Sequence, residues 1–227
     1  MMFGRLKSIL RKFDHILLLG SLIFLVASPI WEETMNRGLL ISDLAIIMIV
    51  VSGVSVTYTH RTDRFNFKFY FGLLTIFISL VDLILNLAPV YSEIIQIFRL
   101  SFFLILTVVM FRLIIRARKV DANVVINSIS GYLLLGISWA IVLWIWTYSH
   151  PGAFSFDTDS SAGMFNEIYY AFVTLTTLGY GDMLPVTAPA KSFGILISVT
   201  GAFYNTIVLG MIVGKFISNE AIKNKED

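Results

Sequence analysis

The sequence predicts an all-α integral membrane protein, with six transmembrane helices and a short re-entrant helix between the last two. Three observations carry this prediction. Of 227 residues, 57% are hydrophobic and only 14% are charged, against about 25% charged in a soluble domain. Uncharged runs recur at lengths that cross about 30 Å of hydrocarbon at about 1.5 Å per helical residue. Basic and acidic residues alternate between successive connections, as expected when positively charged short loops stay in the cytoplasm.

The candidate spans cover residues 15–31, 39–58, 69–90, 94–115, 124–148 and 192–216. A seventh apolar run, 164–178, is too short to span and meets a glycine-rich turn, which suits a helix that enters and leaves on one side. Arg5, Lys7, Arg11 and Lys12 precede the first span, and Arg61, Arg64 and Lys68 join the second to the third. Arg112, Arg116, Arg118 and Lys119 close the fourth, while Lys215, Lys223 and Lys225 end the chain. The other connections hold Glu32, Glu33, Glu93, Asp157, Asp159 and Glu167, with Arg37 and Lys191 as their bases. Both termini are therefore expected in the cytoplasm, with the chain multi-pass in a cell membrane, plasma or prokaryotic inner. The first run, with its basic start and the small residues Ala27 and Ser28, also fits a signal peptide. It is long for one, however, and an uncleaved helix completes the even count of spans.

Three units are expected: residues 1–119, a four-helix unit with few charges; 120–218, with the last two spans and the re-entrant helix; and 219–227, a short cytoplasmic tail. Cysteine is absent, which excludes a disulfide framework and a thiolate metal site. His15, His60 and His150 are scattered over two sides of the membrane, so a shared metal site is not expected. No acid, base and nucleophile converge as an enzyme requires.

The chemistry concentrates in Thr174-Leu175-Thr176-Thr177-Leu178-Gly179-Tyr180-Gly181-Asp182. A cation crosses hydrocarbon only if its hydration shell is replaced, and backbone carbonyls converging on one axis can replace it without fixed charge. One chain cannot surround an ion, whereas four copies about a rotation axis can. Gly179 and Gly181 admit the dihedrals that turn successive carbonyls inward. The Thr177 hydroxyl adds an oxygen at the inner end, and Tyr180 packs outward to hold the ring at its width.

This stretch resembles the selectivity filter of the potassium channel family, T-x-T-T-V-G-Y-G-D, with Leu178 in place of the usual valine. The resemblance covers 120–218 well and the first four helices only in number and topology. It implies a homotetramer, each subunit with three identical partners in the lipid bilayer, that conducts K+ past Thr177, Leu178, Gly179, Tyr180 and Gly181. Ion sites are implied at the first four of these. Neither cofactor nor nucleic acid is implied. Tyr169 and Tyr170 stand where the family has two aromatics in its pore helix, and Tyr170 and Asp182 are expected to hydrogen-bond behind the filter and brace Tyr180. Val173 stands where some relatives carry a glutamate, so a carboxyl pair with Asp182 is not expected.

Six helices with the filter between the last two is the layout of the voltage-gated branch. A voltage sensor needs several bases at every third position, since one charge crossing 100 mV gains only about 2.3 kcal/mol. Here Arg99 stands alone, and the sensor spacing falls next on Phe102, Ile105, Val108 and Phe111. Asp43 and Asp82 are its expected ion-pair partners. The trio reads either as a fixed structural cluster or as a weak sensor. In the last span Gly201 is the expected hinge and reads equally as a tight helix contact, with Gly210 as a further hinge candidate. Leu209, Ile212, Val213 and Phe216 offer an apolar gate. Competing readings are a related transporter, which would need four filter repeats in one chain, a non-conducting accessory subunit, and a nonselective cation channel.

Overall fold

The computed structural model describes residues 2–31, 38–59, 67–85, 89–117, 119–155 and 164–226, with side chains over 14–31, 41–56, 69–82, 94–117, 119–155 and 164–217. The regular elements are all helices: α1 (Met2–Ala27), α2 (Gly38–Thr59), α3 (Phe67–Leu85), α4 (Pro89–Arg116), α5 (Ala122–Ser149), the short α6 (Phe165–Leu175) and the long α7 (Ala188–Glu226). Of the charges that set the loop pattern, Glu32, Glu33, Arg37, His60, Arg61, Arg64, Arg118, Asp157 and Asp159 lie outside the described residues. So do the side chains of Arg5, Lys7, Arg11, Lys12, Lys68, Glu93, Lys223 and Lys225.

Among the described residues, Ile94–Arg116, Ala122–Ser149 and Ala188–Ile217 are long and apolar enough to cross a membrane, and Asp14–Ala27, Ile41–Val56 and Phe69–Asp82 are shorter apolar stretches. Helix ends depart from the sequence expectation in three places. The third helix stops at Leu85 and the fourth starts at Pro89, because proline's fixed φ and missing N–H suit the first helical position. Glu93 accordingly belongs to α4 and not to a loop. The expected tail from 219 is instead a continuation of α7 to Glu226, since neither Gly nor Pro follows Gly214 to stop the helix.

Helix α1 packs on α2, α2 on α3 and α3 on α4, and both α1 and α4 lie against α5. One apolar cluster joins them, from Leu18, Leu22 and Leu25 through Ile49 and Val50 to Phe102, Phe103 and Leu106, and on to Leu134, Ile137 and Ile141 of α5. Close approach depends on small residues at the crossings: a Cβ on Gly53 would run into Leu106, and one on Gly136 into the Phe172 ring. Polar groups inside this apolar mass find partners across helices. The Ser21 and Ser52 hydroxyls lie 3.2 Å apart, and Ser55 donates to Asp14 Oδ1 at 2.7 Å.

The most demanding group in this unit is Arg99, which is 2% exposed. Its Nη2 stands 3.5 Å from Asp43 Oδ1 on α2 and 3.6 Å from Asp82 Oδ2 on α3. Its Nε donates to Ser79 Oγ at 3.3 Å. A buried guanidinium is tolerated only with such partners, so this one charge ties α2, α3 and α4 together. Replacing both carboxylates, by Asp43→Asn with Asp82→Asn, leaves that charge unpaired and is expected to lower unfolding stability in detergent by about 3–5 kcal/mol. Arg99→Met should cost less, because the Asp43 and Asp82 side chains are 29% and 22% exposed and not sealed in the core as Arg99 is. The reverse order would place the stabilisation elsewhere.

Candidate functional site

Between α5 and α7 the chain descends as α6 and returns as an irregular segment, 176–187. Helix α6 owes its place to α5: Ala140, Leu143, Ile168, Ala171 and Leu175 share one buried cluster with Ala190 and Ile197 of α7. Its first turn holds Glu167, which the sequence counts among the acids of the connections between spans. The carboxylate is instead buried, 3% exposed, and Thr147 donates to its Oε1 at 3.0 Å. An acid at this end complements the positive pole of the helix.

At the other end of α6 the backbone turns in a way that fixes the site. The amides of Thr177, Leu178 and Gly179 donate back into α6, to Thr174 O at 3.0 Å and to Val173 O at 3.0 and 3.2 Å. Across a trans peptide the carbonyl points opposite to the amide hydrogen. The carbonyls of Thr176, Thr177 and Leu178 therefore face away from α6. Positive φ recurs at every second residue, 61° at Thr177, 58° at Gly179 and 81° at Gly181. In an extended strand successive carbonyls alternate in direction, and reversing the hand of alternate residues cancels that alternation. Glycine adopts such angles freely. Thr177 is β-branched and does so at a cost on the order of 1–3 kcal/mol, a requirement that its sequence neighbours do not signal.

The outgoing limb is braced from two sides. Tyr169 Oη donates to Asp182 Oδ2 at 2.6 Å, and the Met183 amide donates to Asp182 Oδ1 at 3.0 Å. The tyrosine that reaches Asp182 is thus Tyr169 and not Tyr170. The Tyr170 ring is turned into the protein, 5% exposed, and packs edge-on against Phe154 at 5.0 Å between centroids. The second brace is a segment that the motif does not point to. Ser155 N donates to Leu184 O at 2.8 Å, Leu184 N to Ser155 Oγ at 2.7 Å and Val186 N to Ala153 O at 2.9 Å. Its one legible mark was the Pro151-Gly152 turn just before it. Between α6 and this limb lies a cavity of about 190 Å³ lined by Tyr169, Tyr170, Val173 and Asp182 among others. Leu178 and Tyr180 stand outside it with 54% and 66% of their surface uncovered.

Helix α5 holds the assembly from behind. Tyr132 Oη donates to Leu175 O at 3.2 Å, Trp139 Nε1 to Thr200 Oγ1 at 3.0 Å and Tyr204 Oη to Ser128 O at 2.8 Å. On α7, Gly201 is buried, and a Cβ there would overlap the Leu175 carbonyl oxygen. Gly210 has nothing within 4 Å of its would-be Cβ. Leu209, Val213 and Phe216 lie exposed along one face, at 64%, 47% and 53%, whereas Ile212 packs with Ile114 and Val208. Asp43, Asp82 and Arg99 meet one another in the four-helix unit and form no contact with this segment among those described.

Residues 131–218, from α5 to α7, match the family model described as "Ion channel". This stretch is similar to ion channel segments. Over 92 residues the chain is 36% identical to the A-type voltage-gated potassium channel KCND3 of Rattus norvegicus, and equally to that of Homo sapiens. The match covers 38% of this chain and 13% of each relative. The residues matched by the family model run from within α5 through α6 and the carbonyl-bearing limb into α7.

Two outcomes test this geometry. Gly201→Ala should push the Leu175 backbone and abolish ion flux, while Gly210→Ala keeps flux and stiffens α7 by about 1 kcal/mol, as reconstituted flux and thermal melting can show. The Tyr169 hydroxyl holds the Asp182 carboxyl below the ordinary aspartate range. For a lowered pKa, the brace is fully present above the ordinary value and is lost as pH falls through the depressed one. Tyr169→Phe should accordingly move the acid-induced loss of selective current on the Asp182 side to higher pH.

Proposed function

We propose that this chain is one of four identical subunits of a potassium-selective channel, in which K+ passes down a central axis between carbonyls of Thr177, Leu178, Gly179 and Tyr180. The observation that carries the reading is that the Thr176, Thr177 and Leu178 carbonyls turn away from α6, on a backbone whose hand alternates as far as Gly181. Such oxygens replace a water shell without adding fixed charge. In one chain they border open space, with Leu178 and Tyr180 uncovered beside them; a fourfold arrangement supplies both the missing oxygens and the missing cover. The likeness to a relative whose name specifies potassium supports the choice of ion.

On this reading α1 to α5 and α7 are six spans, α6 is re-entrant, and the basic connections put both termini in the cytoplasm of a cell membrane. The four-helix unit and the pore unit divide at 119, and α7 continues past 218 into the cytoplasmic end of the chain. Leu209, Val213 and Phe216 form the gate face of α7. Gly210, which is free of neighbours, gives the bend, while Gly201 is a contact point. Voltage dependence is weak: four copies of Arg99 crossing the whole field gain on the order of 9 kcal/mol per 100 mV, several-fold less than a full sensor. Its two carboxylate partners hold it in place besides.

Purified protein in liposomes should show potassium-driven flux that barium blocks and Gly179→Asp abolishes. In planar bilayers conductance should rise only shallowly with voltage. A potassium to sodium permeability ratio near one defeats the proposal, and steep activation abolished by Arg99→Gln defeats its account of voltage.

A further inference from the structure

Among the bases that close the chain in the sequence, Lys215 is set apart by its contacts. Its ammonium, carried on α7, donates to the backbone carbonyls of Ile114 at 2.5 Å, Ile115 at 2.8 Å and Ala117 at 2.8 Å. These oxygens sit at the C-terminal end of α4 (Pro89–Arg116), where a helix leaves carbonyls without intrahelical donors. An ammonium has three protons, and here each meets one such oxygen. The charge also suits the negative pole of the helix. The bases nearest in sequence do not fill this place, since Arg112, Arg116 and Lys119 are exposed. The cap comes instead from the helix that carries Leu209, Val213 and Phe216.

The surroundings make this contact a joint between the four-helix unit and α7. Helices α4 and α5 are separated by residues 117–121 alone, so the capped end of α4 is also the point where the four-helix unit enters the channel segment. Beside it Ile114, Val124 and Val208 are buried in one cluster with Phe111, Tyr204 and Ile212, which brings the ends of α4 and α5 onto α7. Charge-assisted bonds are the strong ones, and a lysine that has given all its protons to one helix end has none left for a partial hold.

We propose that Lys215 is a positioning residue for gating: it ties the end of α7 to the end of α4 in the same chain, so that any shift of α4 is transmitted to the face of Leu209, Val213 and Phe216. The proposal rests on the channel reading above. Because the chain has no cysteine, a chemical rescue can test it. Lys215→Cys channels in planar bilayers are recorded before and after two thiol reagents, 2-aminoethyl methanethiosulfonate, which rebuilds an ammonium at near-lysine length, and the neutral methyl methanethiosulfonate. The substitution should change open probability by about tenfold or more, with the potassium to sodium permeability ratio unaltered. The ammonium reagent should bring gating back to the unsubstituted level, and the neutral one should not. Unchanged gating in Lys215→Cys, or equal effects of the two reagents, overturns the proposal. Failure of Lys215→Cys to assemble where Lys215→Arg assembles would make the contact a folding requirement and overturn it equally. Absence of selective current from the unsubstituted chain defeats the channel reading itself, and the tether falls with it.

Discussion

The anchoring of three amides in the last turn of α6 is the interaction on which the rest depends. Once Thr177, Leu178 and Gly179 donate to Val173 and Thr174, their peptide planes are set, and the preceding carbonyls can only face the other way. The arrangement holds a β-branched residue at φ 61°, which the chain would relax if its surroundings allowed. They do not allow it. Tyr132 fixes Leu175 from α5, Gly201 lets α7 press on the same carbonyl, and Tyr169 and Ser155 hold the returning limb. Strain of this kind persists only where packing over-determines it.

A second feature is that much of the apolar surface of α7 stays uncovered within one chain. Only 17% of the apolar window of α7 is buried, and Phe203, Leu209 and Phe216 are each more than half exposed. Lipid can cover such side chains, but it cannot serve the carbonyls, because hydrocarbon offers nothing to an oxygen lone pair. Cations and further copies of the chain can. The four-helix unit differs in kind: its core runs without a break into α5, and its buried Arg99 is matched by two carboxylates.

Much of this was legible in the sequence, because membrane helices and the Thr-Leu-Gly-Tyr-Gly segment are written in local patterns. The position and shortness of α6 followed from a run too brief to span, and the glycine angles from the absence of Cβ. What was not legible depends on contacts between distant residues. Tyr169 and Tyr170 are adjacent and identical in type, so which one reaches Asp182 depends on the rotation of α6 against Phe154. Glu167 read as one more acid of the outer connections, because nothing nearby shows that Thr147 waits for it on α5. Lys215 read as one more terminal base, since its carbonyl partners lie at the other end of a different helix. Gly201 and Gly210 look alike on paper, and only the approach of Leu175 separates them.

The central claim is that carbonyls of Thr177, Leu178, Gly179 and Tyr180 from several copies jointly hold a dehydrated cation. Anomalous diffraction from crystals soaked in rubidium or thallium salts tests this most directly. The account predicts a short line of heavy-ion peaks on a fourfold axis, level with those oxygens and without water between ion and carbonyl. Peaks confined to Asp182 and other carboxylates, or a lattice in which the limb meets no symmetry-related copy of itself, would contradict it.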